Sequence, residues 1–249
     1  MNAAREITRY EILGVRLDDV TLEEAVALIE GFIAAGGPHL VATTNTEFVM
    51  AAQTDPAFRR VLNEAALSLP DGIGLIWGLR LLGENVREHV RGTDLVERLL
   101  AVAAEHGQRV FLLGAAEGVA EAAAARLRQR YPTLQIAGCY AGSPEPAHDA
   151  EARAAIRAAG PVDILLVAYG GGRQEQWIAR NLEPLGIPVG IGVGGVFDFL
   201  AGRVPRAPRW VRRLELEWLY RLIRQPWRWR RQLALPHFAL MVLAAKLRR

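Results

Sequence analysis

Short apolar runs alternate with longer amphipathic segments along the first 202 residues of the chain. The segments have apolar residues at the spacing of helix turns, whereas the runs are continuous, as in strands that are buried on both faces. The runs predict strands at residues 39–43, 65–69, 109–113, 134–138, 163–168 and 187–193. This alternation predicts an α/β fold, a Rossmann-like and mainly parallel sheet flanked by helices.

Capping residues predict where several helices begin and end. Thr21 and Glu24 form a capping box, and the helix that follows ends near Gly36. Asp55 followed by a proline begins another helix. Thr93 or Asp94 caps a helix that runs to residue 106. Residues 10–17 alternate weakly around Gly14 and predict a strand or a hairpin.

A carboxylate follows directly after the strand at 65–69, in the sequence Leu69-Pro70-Asp71-Gly72. Ligands of open α/β sheets bind at the carboxyl ends of strands, so Asp71 is a candidate general base. The alternative is that Asp71 belongs to a turn or caps the next helix. A capping role lowers the pKa of a carboxylate, and a lower pKa weakens it as a base.

Further polar or glycine-rich groups follow the other predicted strands, at residues 43–45, 114–118, 170–174 and 192–195. Glycine-rich loops at one edge of a sheet suit a nucleotide-type ligand, because backbone N–H groups can approach phosphate. No Walker A sequence and no Gly-x-Gly-x-x-Gly at a first βα turn is present. The five histidines lack the spacing of a metal site, so we expect no protein-built metal centre.

Charge divides the chain near residue 202. Residues 203–249 contain thirteen Lys/Arg and two Asp/Glu, a balance of +11, whereas residues 1–202 have a balance of −8. Four of the six tryptophans also lie in this basic segment. We therefore predict an α/β domain at 1–202 and a basic, Trp-rich appendage at 203–249, with one helix over 209–225.

The appendage predicts an anionic partner. Tryptophan beside arginine is typical of a bilayer interface, so an anionic membrane surface is favoured. Nucleic-acid binding and simple packing with solvated arginines are the alternatives. The N-terminal residues lack a secretory pattern, and the apolar run at 233–245 is too short and interrupted to span a membrane. A single cysteine, Cys139, fits a reducing compartment.

Motifs spread over nearly the whole chain resemble the WecG/TagA/CpsF family of bacterial glycosyltransferases. They are Thr43-Thr44-Asn45, Leu69-Pro70-Asp71-Gly72-Ile73-Gly74, Arg91-Gly92-Thr93-Asp94-Leu95, Phe111-Leu112-Leu113-Gly114, Arg173-Gln174-Glu175-Gln176-Trp177, Gly192-Val193-Gly194-Gly195-Val196-Phe197-Asp198, Ala201-Gly202, Arg206-Ala207-Pro208 and Glu217-Trp218-Leu219-Tyr220-Arg221. The resemblance implies an inverting, metal-independent enzyme without a cofactor. It would move a hexosamine, often N-acetylmannosamine, from a UDP-sugar to undecaprenyl-diphosphate-linked N-acetylglucosamine. Such products feed teichoic acid or cell-surface polysaccharide synthesis.

The resemblance also implies roles for residues. Asp71 matches the base on the acceptor hydroxyl. Substrate binding is implied for Thr43, Asn45, Gln174 and Glu175 in the body, and for the appendage arginines Arg221, Arg228 and Arg231, which would reach the diphosphate. The family often has an arginine at His89, thought to stabilise the leaving diphosphate. We therefore assign His89 to catalysis, with Arg87 and Arg91 as alternatives.

The resemblance further implies a cytoplasmic enzyme, peripheral on the inner face of the membrane, where the appendage completes the active site. A homo-oligomer is possible, and no nucleic-acid partner is expected. Two other function classes are a nucleotide-dependent oxidoreductase and a non-catalytic protein that associates with membrane or nucleic acid. The sequence identifies neither the donor sugar nor the acceptor.

Overall fold

A computed structural model describes residues 7–226, 229 and 233–248. Its centre is a six-stranded parallel sheet in the order β4-β3-β8-β7-β5-β6, beside a two-stranded antiparallel hairpin, β1-β2. The strands are β1 (Thr8–Ile12), β2 (Val15–Asp19), β3 (His39–Thr44), β4 (Leu67–Pro70), β5 (Arg109–Gly114), β6 (Gln135–Tyr140), β7 (Ile164–Ala168) and β8 (Val189–Gly192). The predicted α/β class and parallel sheet are confirmed.

The helices follow the strands as expected for βαβ units. They are α1 (Leu22–Ala35), α2 (Thr46–Thr54), α3 (Pro56–Glu64), α4 (Ile73–Leu81), α5 (Gly92–His106), α6 (Val119–Arg130), α7 (Asp149–Ala158), α8 (Arg173–Leu185) and α9 (Val196–Leu200). Beyond residue 202 lie α10 (Arg209–Arg213), α11 (Glu217–Arg224) and α12 (Ala234–Leu247). None of the described helices has the length and apolarity needed to cross a membrane.

Two local predictions are wrong. The helix after residue 91 begins at Gly92 with Arg91 as its cap, not at Thr93 or Asp94. The single helix predicted over 209–225 is two helices, separated where Glu215 has a φ of 58°. A residue in this left-handed conformation cannot continue a right-handed α-helix, so the helix is interrupted here. A non-glycine residue adopts this conformation only at an energetic cost. The division of the chain at residue 202 stays a prediction.

The sheet is buried on both faces, which explains the continuous apolar runs. Along β7, Ile164 and Leu166 pack in one core layer and Leu165 and Val167 in the opposite layer. Helices α1, α5, α6 and α9 contribute to the first layer. Helices α7 and α8 cover part of the other face, and α2, α3, α4 and α12 cover the rest together with the hairpin.

Helix α12 packs against α4 at two glycines. A Cβ atom at Gly78 would lie 2.8 Å from the ring of Phe238 and 3.0 Å from Ile12 Cδ1. At Gly74 it would lie 3.0 Å from Leu235 Cδ2. Phe238 and Val242 of α12 are buried in the same core layer as α4. The two helices therefore form one unit, which the sequence pattern did not predict.

This packing predicts opposite effects of the same substitution at two helical glycines. Gly78→Ala should lower the free energy of unfolding by about 1–3 kcal/mol, because overpacking outweighs the better helix propensity of alanine. Gly31→Ala in α1 is the matched control, since no atom lies within 4 Å of its added Cβ. The control should raise stability by roughly 0.5–1 kcal/mol. Urea unfolding of both variants tests this, and equal effects at the two sites would contradict the close packing.

Candidate active site

The carboxyl ends of β3, β4 and β8 meet at one edge of the sheet. Thr44 pairs with Pro70 in the β3–β4 register, and the next N–H, that of Asp71, donates to the Thr44 carbonyl at 2.7 Å. Thr43 Oγ1 donates to the Gly192 carbonyl of β8 at 3.2 Å. The first contact holds the start of the Asp71 loop against β3, and the second joins the end of β3 to β8. The predicted convergence of Thr43 and Asp71 is observed.

Asp71 faces a cavity of about 570 Å³ that also contacts Asn45, His89, Arg91 and Arg221. A third of the Asp71 side chain is exposed. The cap of α4 is Gly72, with a φ of 105°, and no side chain donates or accepts a capping hydrogen bond there. The capping alternative for Asp71 is therefore wrong, and that role does not compete with a chemical role for its carboxylate.

His89 lies beside the Asp71 loop and is largely buried. Its Nε2 is 3.8 Å from Asp71 Oδ1 and accepts a hydrogen bond from the Gly72 N–H at 2.9 Å. Its Nδ1 is 2.9 Å from Glu215 Oε2. In the neutral tautomer that suits both contacts, Nδ1–H donates to Glu215. Burial lowers the pKa of His89, but Asp71 and Glu215 together outweigh it, and the pKa is raised.

Arg91 joins the loop before α5 to the segment between α10 and α11. Its guanidinium is 2.6 Å from Glu215 Oε2 and 3.8 Å from Glu217 Oε2, and it donates to the Arg212 carbonyl at 2.9 Å. Burial lowers the pKa of Arg91, but the Glu215 carboxylate more than offsets this, so the pKa is raised. Glu215 thus contacts both His89 and Arg91, two side chains of the body that line the cavity.

A second arginine, Arg206, anchors the chain just before α10. Its guanidinium contacts Asp94 at 2.5 Å and Glu97 at 3.1 Å, both on α5. Glu217 Oε1 lies 4.0 Å from Arg206 Nε. Burial raises the pKa of Glu217 despite the nearby arginines. The cavity wall is therefore held to α5 by ion pairs that are mostly shielded from water.

Gln174 and Glu175 lie at the same sheet edge but below the surface. Gln174 Oε1 accepts from the N–H groups of Gly170 at 2.9 Å and Gly194 at 3.0 Å, and Nε2 donates to Glu175 Oε1 at 2.8 Å. Glu175 is fully buried, and its Oε2 has no hydrogen-bond partner among the described residues. Burial raises its pKa to about 7, against a smaller opposing effect of Gln174. The pair joins the glycine loops after β7 and β8.

The remaining predicted residues divide between the cavity and the part of the chain that lies outside the described residues. Asn45 contacts the cavity and caps α2, since its Oδ1 accepts from Phe48 N–H at 3.1 Å. The guanidinium carbon of Arg221 lies 4.9 Å from the centre of the Phe199 ring. Arg228 and Arg231 lie outside the described residues. The cavity thus brings together Asp71, His89, Asn45 and Arg221, whereas Thr43, Gln174 and Glu175 support the sheet edge beneath it.

Two site residues were missed from sequence, Glu215 and Glu217. The sequence does mark these two residues, because they are the only acidic residues in the segment 203–249, which has thirteen Lys/Arg. Trp77 and the residues of α12 that contact the cavity were also missed. Within the described ranges, no group of three or more His, Cys, Asp or Glu side chains is arranged to hold a metal ion.

Comparison with known proteins gives a consistent family. The family model described as "Glycosyl transferase WecG/TagA/CpsF family" matches residues 10–249. A Bacillus subtilis (strain 168) relative, named N-acetylglucosaminyldiphosphoundecaprenol N-acetyl-beta-D-mannosaminyltransferase, is 38% identical over 204 residues, 82% of this chain and 78% of the relative. A Staphylococcus aureus (strain MW2) relative with the same name is 32% identical over 240 residues, 96% of this chain and 93% of the relative.

The buried carboxyl group of Glu175 predicts a pH-dependent stability. The folded state keeps the proton to about pH 7, whereas the ordinary pKa of the group is 4.5. Between these values the folded state binds more protons, so stability falls as pH rises. From pH 5 to pH 8 the wild type should lose on the order of 2 kcal/mol more than Glu175→Gln, which has no proton to lose there. Urea unfolding at the two pH values measures this difference, and parallel changes in the two proteins would show that Glu175 does not titrate as described.

Proposed function

The chain belongs to the WecG/TagA/CpsF family of glycosyltransferases, and we propose that it transfers N-acetylmannosamine from UDP to an undecaprenyl-diphosphate-linked N-acetylglucosamine. The acceptor and the sugar are those in the names of its relatives. The observation that carries the proposal is the family's carboxylate, Asp71, one third exposed in a cavity of about 570 Å³ that Arg91 and Arg221 also line. That volume is within the range of about 300–1,000 Å³ that is typical of small-molecule sites.

Asp71 is the proposed general base. Its carboxylate removes the proton from the attacking hydroxyl of the acceptor N-acetylglucosamine as the hydroxyl oxygen bonds to the anomeric carbon of the donor. The bond from that carbon to the diphosphate breaks, and UDP leaves with the electron pair. Attack from the face opposite the leaving group inverts the anomeric centre. The absence of a capping contact at Asp71 supports this role, because no bond to the helix end engages its carboxylate, which lies 3.8 Å from His89 Nε2.

Negative charge develops on the leaving diphosphate, and cations near the cavity mouth suit it. His89, Arg91 and Arg221 are the candidates among the described residues. Both ring nitrogens of His89 are engaged, Nε2 by the Gly72 N–H and Nδ1 by Glu215, so His89 would have to release one of these contacts to donate to a phosphate oxygen. Arg91 is a weaker candidate for the role of the family arginine, because its charge is already neutralised by the Glu215 carboxylate. The substrate-binding roles of Thr43, Gln174 and Glu175 are proposed to be indirect, through the loops that they hold.

We propose that the enzyme acts at the inner face of the cell membrane, where it reaches a lipid acceptor. The basic balance of residues 203–249 supports attraction to an anionic leaflet. Transfer without a divalent metal or other cofactor is a further expectation from the family. The product is proposed to enter synthesis of teichoic acid or another cell-surface polysaccharide. An oxidoreductase or a non-catalytic role gains no support from the relatives' names.

Removal of the base should abolish transfer without unfolding the protein. Asp71→Asn should lower kcat by about 10²–10⁴-fold, the usual contribution of a general base, with little change in KM. Release of UDP from UDP-N-acetylmannosamine in the presence of the lipid-linked acceptor measures this. Asp55→Asn is the matched control, because asparagine can replace Asp55 as the cap of α3 and should leave turnover near the wild-type value. Wild-type turnover by Asp71→Asn would refute the assignment of the base.

Membrane attraction should depend on the exposed cations beyond residue 202. Arg209→Ser/Arg213→Ser should weaken binding to anionic vesicles by about 2 kcal/mol, at about 1 kcal/mol per cation. The matched control removes two exposed cations of the body, Arg60→Ser/Arg128→Ser, and should change binding little. Co-sedimentation with anionic and with neutral vesicles tests the prediction. If both double variants weaken binding equally, net charge rather than this segment holds the protein on the membrane.

A further inference from the structure

The cavity beside Asp71 has two chemically different ends. Its charged end contains Asp71, His89, Arg91, Glu215 and Arg221. Its other end lies between α4 and α12 and is apolar. The side chains that contact the cavity there are Ile73, Trp77, Leu81, Leu235, Ala239 and Val242. We call this apolar end, defined by these six residues, the α4–α12 groove.

The groove is a consequence of how α12 packs on α4. Gly74 and Gly78 let Leu235 and Phe238 contact the α4 backbone closely, so α12 is held against the glycine side of α4. Trp77 and Leu81 then remain beside α12, not under it, and Trp77 is 60% exposed. A tryptophan left in water next to a built apolar cleft indicates a surface for a ligand more than a part of the core.

Helix α12 is apolar on its outer side as well. Phe238 and Val242 are buried, yet Leu240, Leu243 and Leu247 are exposed. Leu243 follows Ala239 by one helical turn and so lies on the same side of α12 as the groove wall. A helix that is apolar all round is usually buried in protein or lipid. The groove therefore connects the charged end of the cavity with an apolar outer surface.

One type of ligand matches this arrangement, a molecule with an anionic diphosphate joined directly to a hydrocarbon chain. A UDP-sugar is polar throughout and gains nothing from the groove. We propose that the α4–α12 groove binds the first isoprene units of the acceptor's polyprenyl chain, so that the attached sugar is brought to Asp71. This proposal rests on the proposed function, because the acceptor class comes from there. It adds a binding site for the chain and assigns Trp77 and Ala239 to its recognition.

The test compares two acceptors in solution without vesicles. Both have N-acetylglucosamine on a diphosphate, which is esterified in one with a methyl group and in the other with a farnesyl chain. The wild type should have at least a tenfold higher kcat/KM for the farnesyl acceptor, measured by UDP release. Ala239→Trp fills the groove and should reduce this ratio to near one. Leu240→Trp introduces the same side chain on the exposed side of α12 and should keep the wild-type ratio.

Two results would overturn the groove proposal: no farnesyl preference in the wild type, or a preference that Ala239→Trp retains. The first result would mean that chain preference, if any, comes from partition into the membrane. Absence of transfer to either acceptor would count against the proposed function instead. The groove is then judged by calorimetric binding of farnesyl diphosphate against inorganic diphosphate, which should differ at least tenfold in the wild type and not in Ala239→Trp.

Discussion

The close packing of α12 on α4 is the contact on which the site depends. Helix α4 begins directly after Asp71, and α12 completes the core under it while forming the opposite wall of the cavity. Gly78 makes this possible, because any larger residue there meets the Phe238 ring. Removal of the segment beyond residue 202 would therefore uncover Phe238's partners in the core as well as remove cations. Point substitutions separate the two effects, and a truncation does not.

Ion pairs hold the rest of the cationic segment in place. Glu215 and Glu217, its two acidic residues, both pair with Arg91 of the body. In the opposite sense, Arg206 of the segment pairs with Asp94 of α5. Because these groups are partly shielded from water, breaking one partner would leave a charge that is poorly solvated. The same segment thus closes the cavity by a few specific contacts, and we propose that its net charge attracts an anionic surface.

The sequence predicted the sheet because its strands are buried on both faces and read as continuous apolar runs. It also predicted the position of Asp71, since the end of the apolar run at 65–69 marks the end of a strand. It did not predict α2, a nine-residue helix that Asn45 caps, or the break at Glu215, whose positive φ has no local signal. Helix α12 was missed because an all-round apolar helix has no amphipathic period. The cavity formed by these elements was consequently unpredictable from local patterns alone.

The central claim is that this chain adds one N-acetylhexosamine to a lipid-linked sugar. Mass spectrometry of the lipid after incubation with a panel of UDP-sugars tests it most directly, with undecaprenyl-diphosphate-linked N-acetylglucosamine as the acceptor. The account predicts that UDP-N-acetylmannosamine yields a lipid heavier by one N-acetylhexosamine residue, and that Asp71→Asn yields none. An unchanged lipid with every UDP-sugar, from a folded protein that binds the membrane, would contradict it.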